Sequence, residues 1–137
     1  MVMVRYVVGT QDCDALGHMN VARYIAVCNL AGSDMLRRIG WPPGESNAGR
    51  RYSFAAVNMH SEFFGEVLEG ETLETAVGID TIGTKSATFD NRIYRTDGTL
   101  VFRSLWKSAL MDLDTRHAVA VPEDLRNTLS QLKLPAL

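Results

Sequence analysis

The chain has 137 residues, 46% hydrophobic and 22% charged, with a net charge of −2. That length suits one domain, taken here as residues 1–137, with a core of its own. The balanced charge and the lack of a long basic run exclude a phosphate-tracking nucleic-acid binder, and no apolar run approaches the ~20 residues of a membrane span.

Residues 2–8 carry Val2, Val4, Tyr6, Val7 and Val8, a β-rich run that Gly9 and Thr10 end. A dense polar stretch follows, Asp12-Cys13-Asp14-Ala15-Leu16-Gly17-His18-Met19-Asn20. It empties into an apolar segment from Val21 to Ile39. Val21, Ile25, Cys28, Gly32, Met35 and Ile39 recur at steps of four and three, which predicts a helix with those residues on one face, broadened by Tyr24, Val27, Leu30, Ala31 and Leu36. Asn20 suits its N-cap, Arg37 and Arg38 its negative end, and Gly40 with Pro42-Pro43 its stop.

Residues 42–52 read as a loop, and the chain beyond them reads mostly as strands. Residues 53–64 hold Phe54, Val57, Met59, Phe63 and Phe64. Residues 72–82 alternate, with Leu73, Thr75, Val77, Ile79 and Thr81 expected on one side. Gly83-Thr84-Lys85 predicts a hairpin into 86–95, and Thr96-Asp97-Gly98 a second into 99–113, with Leu100, Phe102, Trp106 and Leu110 on one face. Pro122, Leu125, Leu129 and Leu132 predict a short amphipathic C-terminal helix. Consecutive hairpins imply a mainly antiparallel sheet. A helix apolar around so much of its girth needs more cover than one such sheet gives, which points to a second subunit.

Cys13 and Cys28 come with no secretory segment and no metal-ligand spacing. They read as free thiols of a cytoplasmic protein, and no metal is expected.

The triplet Asp12-Cys13-Asp14, then Gly17-His18-Met19-Asn20, then Ala22-Arg23-Tyr24 opening a helix resembles the hot-dog-fold acyl-CoA thioesterases of the 4-hydroxybenzoyl-CoA thioesterase type. Glu62-Phe63-Phe64, Gly70-Glu71-Thr72-Leu73, Gly83-Thr84-Lys85-Ser86 and the ending around Asp112–Leu125 are similar too. The resemblance implies an α+β hot-dog fold: a long central helix wrapped by a curved antiparallel five-stranded sheet, with a short C-terminal helix. It implies homodimers with active sites at the subunit interface, often paired into homotetramers. The activity implied is hydrolysis of an acyl-CoA to a carboxylic acid and CoA, with no cofactor beyond the CoA of the substrate. Asp14 falls on the family's catalytic carboxylate, Gly17 on the glycine of the turn, and the Val21 N–H on the amide that polarises the carbonyl.

The chemistry of thioester hydrolysis fits these assignments. Attack on the carbonyl carbon needs a nucleophile or a base, and the growing oxyanion needs donors. Asp14 can serve as either nucleophile or general base, and a helix N-terminus supplies donors and a favourable dipole. Asp12 reads as an anchor for loop N–H groups. His18 either assists proton transfer or orients the loop. Asn20 is first a cap and second a substrate contact. Gly17, Tyr24, Ser86 and His60 complete the candidate substrate contacts. Arg50, Arg51, Lys85 and Arg116 are candidates for the CoA phosphates, and each reads equally well as a solvated surface charge. Two rivals stand beside the thioesterase: a hot-dog hydratase or dehydratase of acyl-CoA or acyl-carrier protein, and a non-catalytic acyl-CoA-binding protein.

Overall fold

A computed structural model describes residues 4–137. Five strands form one antiparallel sheet: β1 (Val4–Val7), β2 (Tyr52–Phe63), β3 (Thr72–Ile82), β4 (Ser86–Arg95) and β5 (Leu100–Asp112). Their spatial order is β1-β3-β4-β5-β2. Helix α1 (Val21–Arg38) lies in the concave face, and α2 (Glu123–Leu129) closes one end. This is the hot-dog fold that the resemblance implied.

The predicted ends of α1 are present. Asn20 Oδ1 accepts from Ala22 N–H at 2.9 Å, Arg37 and Arg38 occupy the last turn, and Gly40 takes φ +85°. Of the broad apolar face, Tyr24, Val27, Cys28, Ala31, Met35 and Leu36 are buried, whereas Val21 is 59% and Leu30 57% exposed. The helix packs on β3, β1 and β4; the inner face of β5 is buried through Phe102, Ser104, Trp106 and Leu110, whereas β2 keeps Met59 and Phe63 exposed. The Val21–Ile25 side of α1 therefore borders an open groove along β2, the residues that the simple apolar count had turned inward.

Both hairpins form where Gly83 and Gly98 predict them. The alternation is broken at three places by one extra residue: Val57 in β2, Asp80 in β3 and Val101 in β5. Each bulge shifts the inward phase of its strand. Leu73, Thr75, Val77 and Ile79 are buried as expected, but Thr81, just past the Asp80 bulge, is exposed. In β5 both Val101 and Phe102 are fully buried. Pro122 sits at the N-cap of α2, one position before the predicted one.

The chain's own end covers part of the convex face. Ile79 N–H donates to the Leu132 carbonyl at 2.9 Å, and Arg92 Nη1 to the Pro135 carbonyl at 2.7 Å. Gly78 is needed there because a Cβ on it would lie 2.4 Å from the Leu132 carbonyl oxygen. Under this strap Asp90 meets Arg92 (2.9 Å) and Arg103 (3.0 Å). Burial pushes the Asp90 carboxyl up, but the two guanidinium groups outweigh it and hold its pKa below the usual value.

Candidate active site

The site is built outward from Asp12. Gly9 and Thr10 end β1, a single 3-10 turn covers Thr10–Asp12, and the Asp12 side chain folds back under it. That side chain is fully buried. Gly9 N–H donates to Oδ2 at 2.8 Å, while Tyr6 Oη and Arg23 Nε each donate to Oδ1 at 2.7 Å. Burial raises the Asp12 pKa, but these three donors together outweigh it and keep the group ionised below the ordinary carboxylate range. The anchor thus ties β1, the loop and the first turn of α1 to one carboxylate.

Asp14 lies two residues on, with its side chain only partly buried. Gly17 N–H donates to the Asp14 carbonyl at 3.0 Å, and Asp14 N–H to the His18 carbonyl at 3.2 Å, so the loop turns tightly here. Gly17 makes that turn at φ +81°, a conformation other L residues adopt at a cost. Leu16 N–H donates to Asp14 Oδ1 at 2.9 Å. Asn20 Nδ2 lies 3.5 Å from Asp14 Oδ2, at the outer limit of a hydrogen bond. One amide therefore caps the helix with its oxygen and faces the carboxylate with its nitrogen. Met19 N–H donates to the Val67 carbonyl at 2.7 Å, which pins the loop against the segment after β2.

The first turn of α1 has N–H groups to spare. Asn20 takes two of them, Ala22 N–H on its side chain and Arg23 N–H on its carbonyl. Val21 N–H has no acceptor among the described residues. An open cleft lies in front of it, bordered by His18, Val21, Tyr24, Phe63, Phe64 and Glu66. The Tyr24 ring packs edge-on against Phe63 (5.1 Å) and tilted against Phe102 (5.0 Å), so it forms the base of the cleft. His18 Nδ1 lies 3.3 Å from the Met19 carbonyl. The arrangement offers an accessible carboxylate, an unpaired N–H with a helix dipole behind it, and an imidazole at the rim.

Asp14, Gly17, His18, Asn20, Val21 and Tyr24 are thus brought together. The remaining candidates lie elsewhere. His60 pairs with Leu105 in the ladder, one position off the inward-facing Ser61–Ser104 pair, so it projects from the convex face beside Glu62 (3.8 Å). Ser86 begins β4 at the far end of the sheet. Arg50 pairs with Asp124 at 2.7 Å and stacks over Trp41 at 4.8 Å, and Arg51 pairs with Asp114 at 2.7 Å. Lys85 and Arg116 occupy turns at that same end. Arg50, Arg51, Ser86, Lys85 and Arg116 lie toward the far end of α1 from Asp14, and that helix of 18 residues is about 27 Å long. Among the described residues no cluster of His, Cys, Asp or Glu could hold a metal ion, and both cysteines are free. Burial pushes the Cys28 thiol up to about 12.

A family model described as the thioesterase-like superfamily matches residues 8–129. The chain belongs to that superfamily. No curated protein matches it. Among solved structures, this thioesterase-like chain is similar to YbaW, a probable thioesterase from Escherichia coli, at 22% identity and TM-score 0.80, covering 96% of this chain and 98% of the other. It is also similar to Slr0204, a 1,4-dihydroxy-2-naphthoyl-CoA thioesterase from Synechocystis, at 16% identity and TM-score 0.78, covering 98% of each chain. A third is the BH1999 gentisyl-coenzyme A thioesterase, at 18% identity and TM-score 0.77, covering 93% of this chain and 98% of the other. At these identities the likeness shows the shared fold.

Two sets of residues in this thioesterase-like chain escaped the sequence reading. Tyr6 and Arg23 hold Asp12, and only the antiparallel pairing of β1 with β3 explains why a strand tyrosine meets a helix arginine. Asn91, Ser104 and Ser108 form a polar row on the inner face of β4 and β5. A signal for Asn91 was present: it holds an inward position in the alternation Ala87, Phe89, Asn91, Ile93.

Proposed function

We propose that the protein is an acyl-CoA thioesterase. The observation that carries this reading is the unpaired Val21 N–H, which opens on the cleft, together with the partly buried Asp14 carboxylate 3.5 Å from the Asn20 amide that caps the same helix. The thioester carbonyl oxygen points at Val21 N–H, where the helix dipole adds to the hydrogen bond as negative charge develops. Asp14 supplies the attack, by activating a water or directly. The bond from Leu16 N–H and the Asn20 amide orient its two oxygens while leaving lone pairs open toward the cleft. The tetrahedral intermediate collapses with loss of the CoA thiolate, and His18 at the rim is placed to protonate it.

We further infer that the working unit is a homodimer joined along β2. That edge runs for 12 residues, and Val57 (64%), Phe63 (48%) and Phe64 (52%) are exposed on or just beyond it. Long unpaired apolar edges are normally covered. Antiparallel two-fold pairing there sets the Arg50–Tyr52 end of one protomer beside the Phe63 end of the other. Basic residues at the far end of α1 within one chain then come close to the partner's cleft, where CoA phosphates need them.

The test is free-thiol release from a panel of acyl-CoAs, with Asp14→Asn as the critical variant. Loss of one acid–base group costs about 10²–10⁴ in rate. A folded Asp14→Asn protein as fast as the parent refutes the mechanism, and a parent that releases thiol from no acyl-CoA refutes the activity.

A further inference from the structure

One helical turn beyond Val21, at Ile25, the groove between α1 and β2 opens into a cavity of about 220 Å³. Its floor is the inner face of β4 and β5, and Phe54, Phe89 and Trp106 form most of its walls. Opposite them stands Gly32, where an added Cβ would meet nothing within 4 Å.

Two polar side chains interrupt this apolar floor. Asn91 is 1% exposed and Ser108 4%. Asn91 Nδ2 donates to the Ser104 carbonyl at 3.2 Å, which fixes the amide and turns Oδ1 away from that strand. Neither Asn91 Oδ1 nor Ser108 Oγ has a hydrogen-bond partner among the described residues. Thr75 Oγ1 is the only side-chain atom among them that is both sealed and unpaired. Asn91 Oδ1 and Ser108 Oγ are therefore not sealed, and the cavity they line is the space they open onto. An acceptor held among aromatic rings with no protein donor opposite it is free to take a hydrogen bond from a donor that enters the cavity.

Resting on the thioesterase reading, we propose that this cavity receives the distal part of the acyl group and that Asn91 Oδ1 selects chains carrying a hydroxyl there. Asn91 lies one inward position, ~7 Å along β4, beyond Ile93, whose cross-strand partner Phe102 packs on Tyr24, so its amide is on the order of 10 Å into the groove from Val21. A medium-length chain on a thioester at Val21 spans that depth, and a single aromatic ring stops short of it. The hydroxyl donates to Asn91 Oδ1, whose amide nitrogen is already committed. Ser108, four residues beyond Ser104 on β5, is the second polar point, farther from Val21.

Calorimetric titration of the full-length protein with decanoate, ω-hydroxydecanoate and ω-methoxydecanoate tests this without any need for turnover. The hydroxy acid binds on the order of tenfold tighter than the other two, since a methoxy group has no donor for Asn91. Asn91→Leu equalises the three. Gly32→Leu fills the chamber from the helix side, without touching the strand hydrogen bonds, and abolishes binding of all three. Equal affinities in the parent, no binding by any acid, or undiminished binding by Gly32→Leu overturns the assignment. Selective hydroxy-acid binding with no thiol release from any acyl-CoA refutes the thioesterase reading and leaves the cavity assignment standing. Thiol release with no hydroxyl preference does the reverse.

Discussion

Replacing Asp12 by alanine removes the acceptor of three donors at once. Gly9 N–H, Tyr6 Oη and Arg23 Nε all lie within 2.8 Å of its oxygens, and the carboxylate itself is fully buried. Hydrogen bonds to a charged group contribute ~1.5–3 kcal/mol each, and a buried donor left unpaired costs ~1–3 kcal/mol. Arg23 is 41% exposed and turns to water, so its share is discounted. The sum is a loss of about 2–4 kcal/mol, less than the three bonds added naively, because the loop relaxes. Urea unfolding of parent and Asp12→Ala reads this as a lower midpoint with an unchanged slope. The difference also depends on pH. The folded Asp12 pKa lies below the unfolded value of ~3.9, so its contribution is complete above that value and is lost as pH falls through the folded pKa. A midpoint shift worth under ~1 kcal/mol, or a difference that persists unchanged at the acid end, refutes the anchor as described.

Other substitutions probe neighbouring parts. Asn20→Ala loses the helix cap, worth about 1 kcal/mol, and weakens activity by freeing Asp14; Asn20→Asp restores the cap in thermal melts but not the activity, because the amide that faces the Asp14 carboxylate is gone. Gly17→Ala strains a turn at φ +81° and lowers stability by about 1 kcal/mol, read by urea midpoint. Val57→Lys puts a charge at the β2 bulge and converts dimers to monomers in sedimentation; a parent that is already monomeric at micromolar concentration refutes pairing along that edge.

Much of the fold could be read from local chemistry. Asn20, Gly40, Gly83 and Gly98 mark a cap, a stop and two hairpins because each acts through its own backbone. The loop around Asp14 was legible for the same reason, since its turn, cap and helix start lie within nine residues. What failed depends on distant chain. The extra residues Val57, Asp80 and Val101 carry no mark in sequence, so the inward phase beyond Asp80 was misread at Thr81. The exposure of Val21 and Leu30 within the broad apolar face of α1 was missed because every apolar residue was given equal weight, while the sheet covers the Tyr24–Ala31–Met35 side. The distances of His60, Ser86, Lys85 and the arginines from Asp14 were not legible either. They are set by strand direction and by the length of α1, which no local pattern reports.

The strand order also sets how the molecule assembles in time. β3, β4 and β5 form a meander of consecutive hairpins, whose contacts are local in sequence. β1 must find β3 across about 68 residues, as in the pairing of Tyr6 with Leu73, and the closure of such loops is slow relative to a hairpin. The Asp12 anchor needs Tyr6 from that late strand and Arg23 from the helix, and the Met19–Val67 bond needs the segment after β2. The Asp12–Asn20 loop is therefore completed after the meander, because each bond that anchors it waits for chain outside the hairpins.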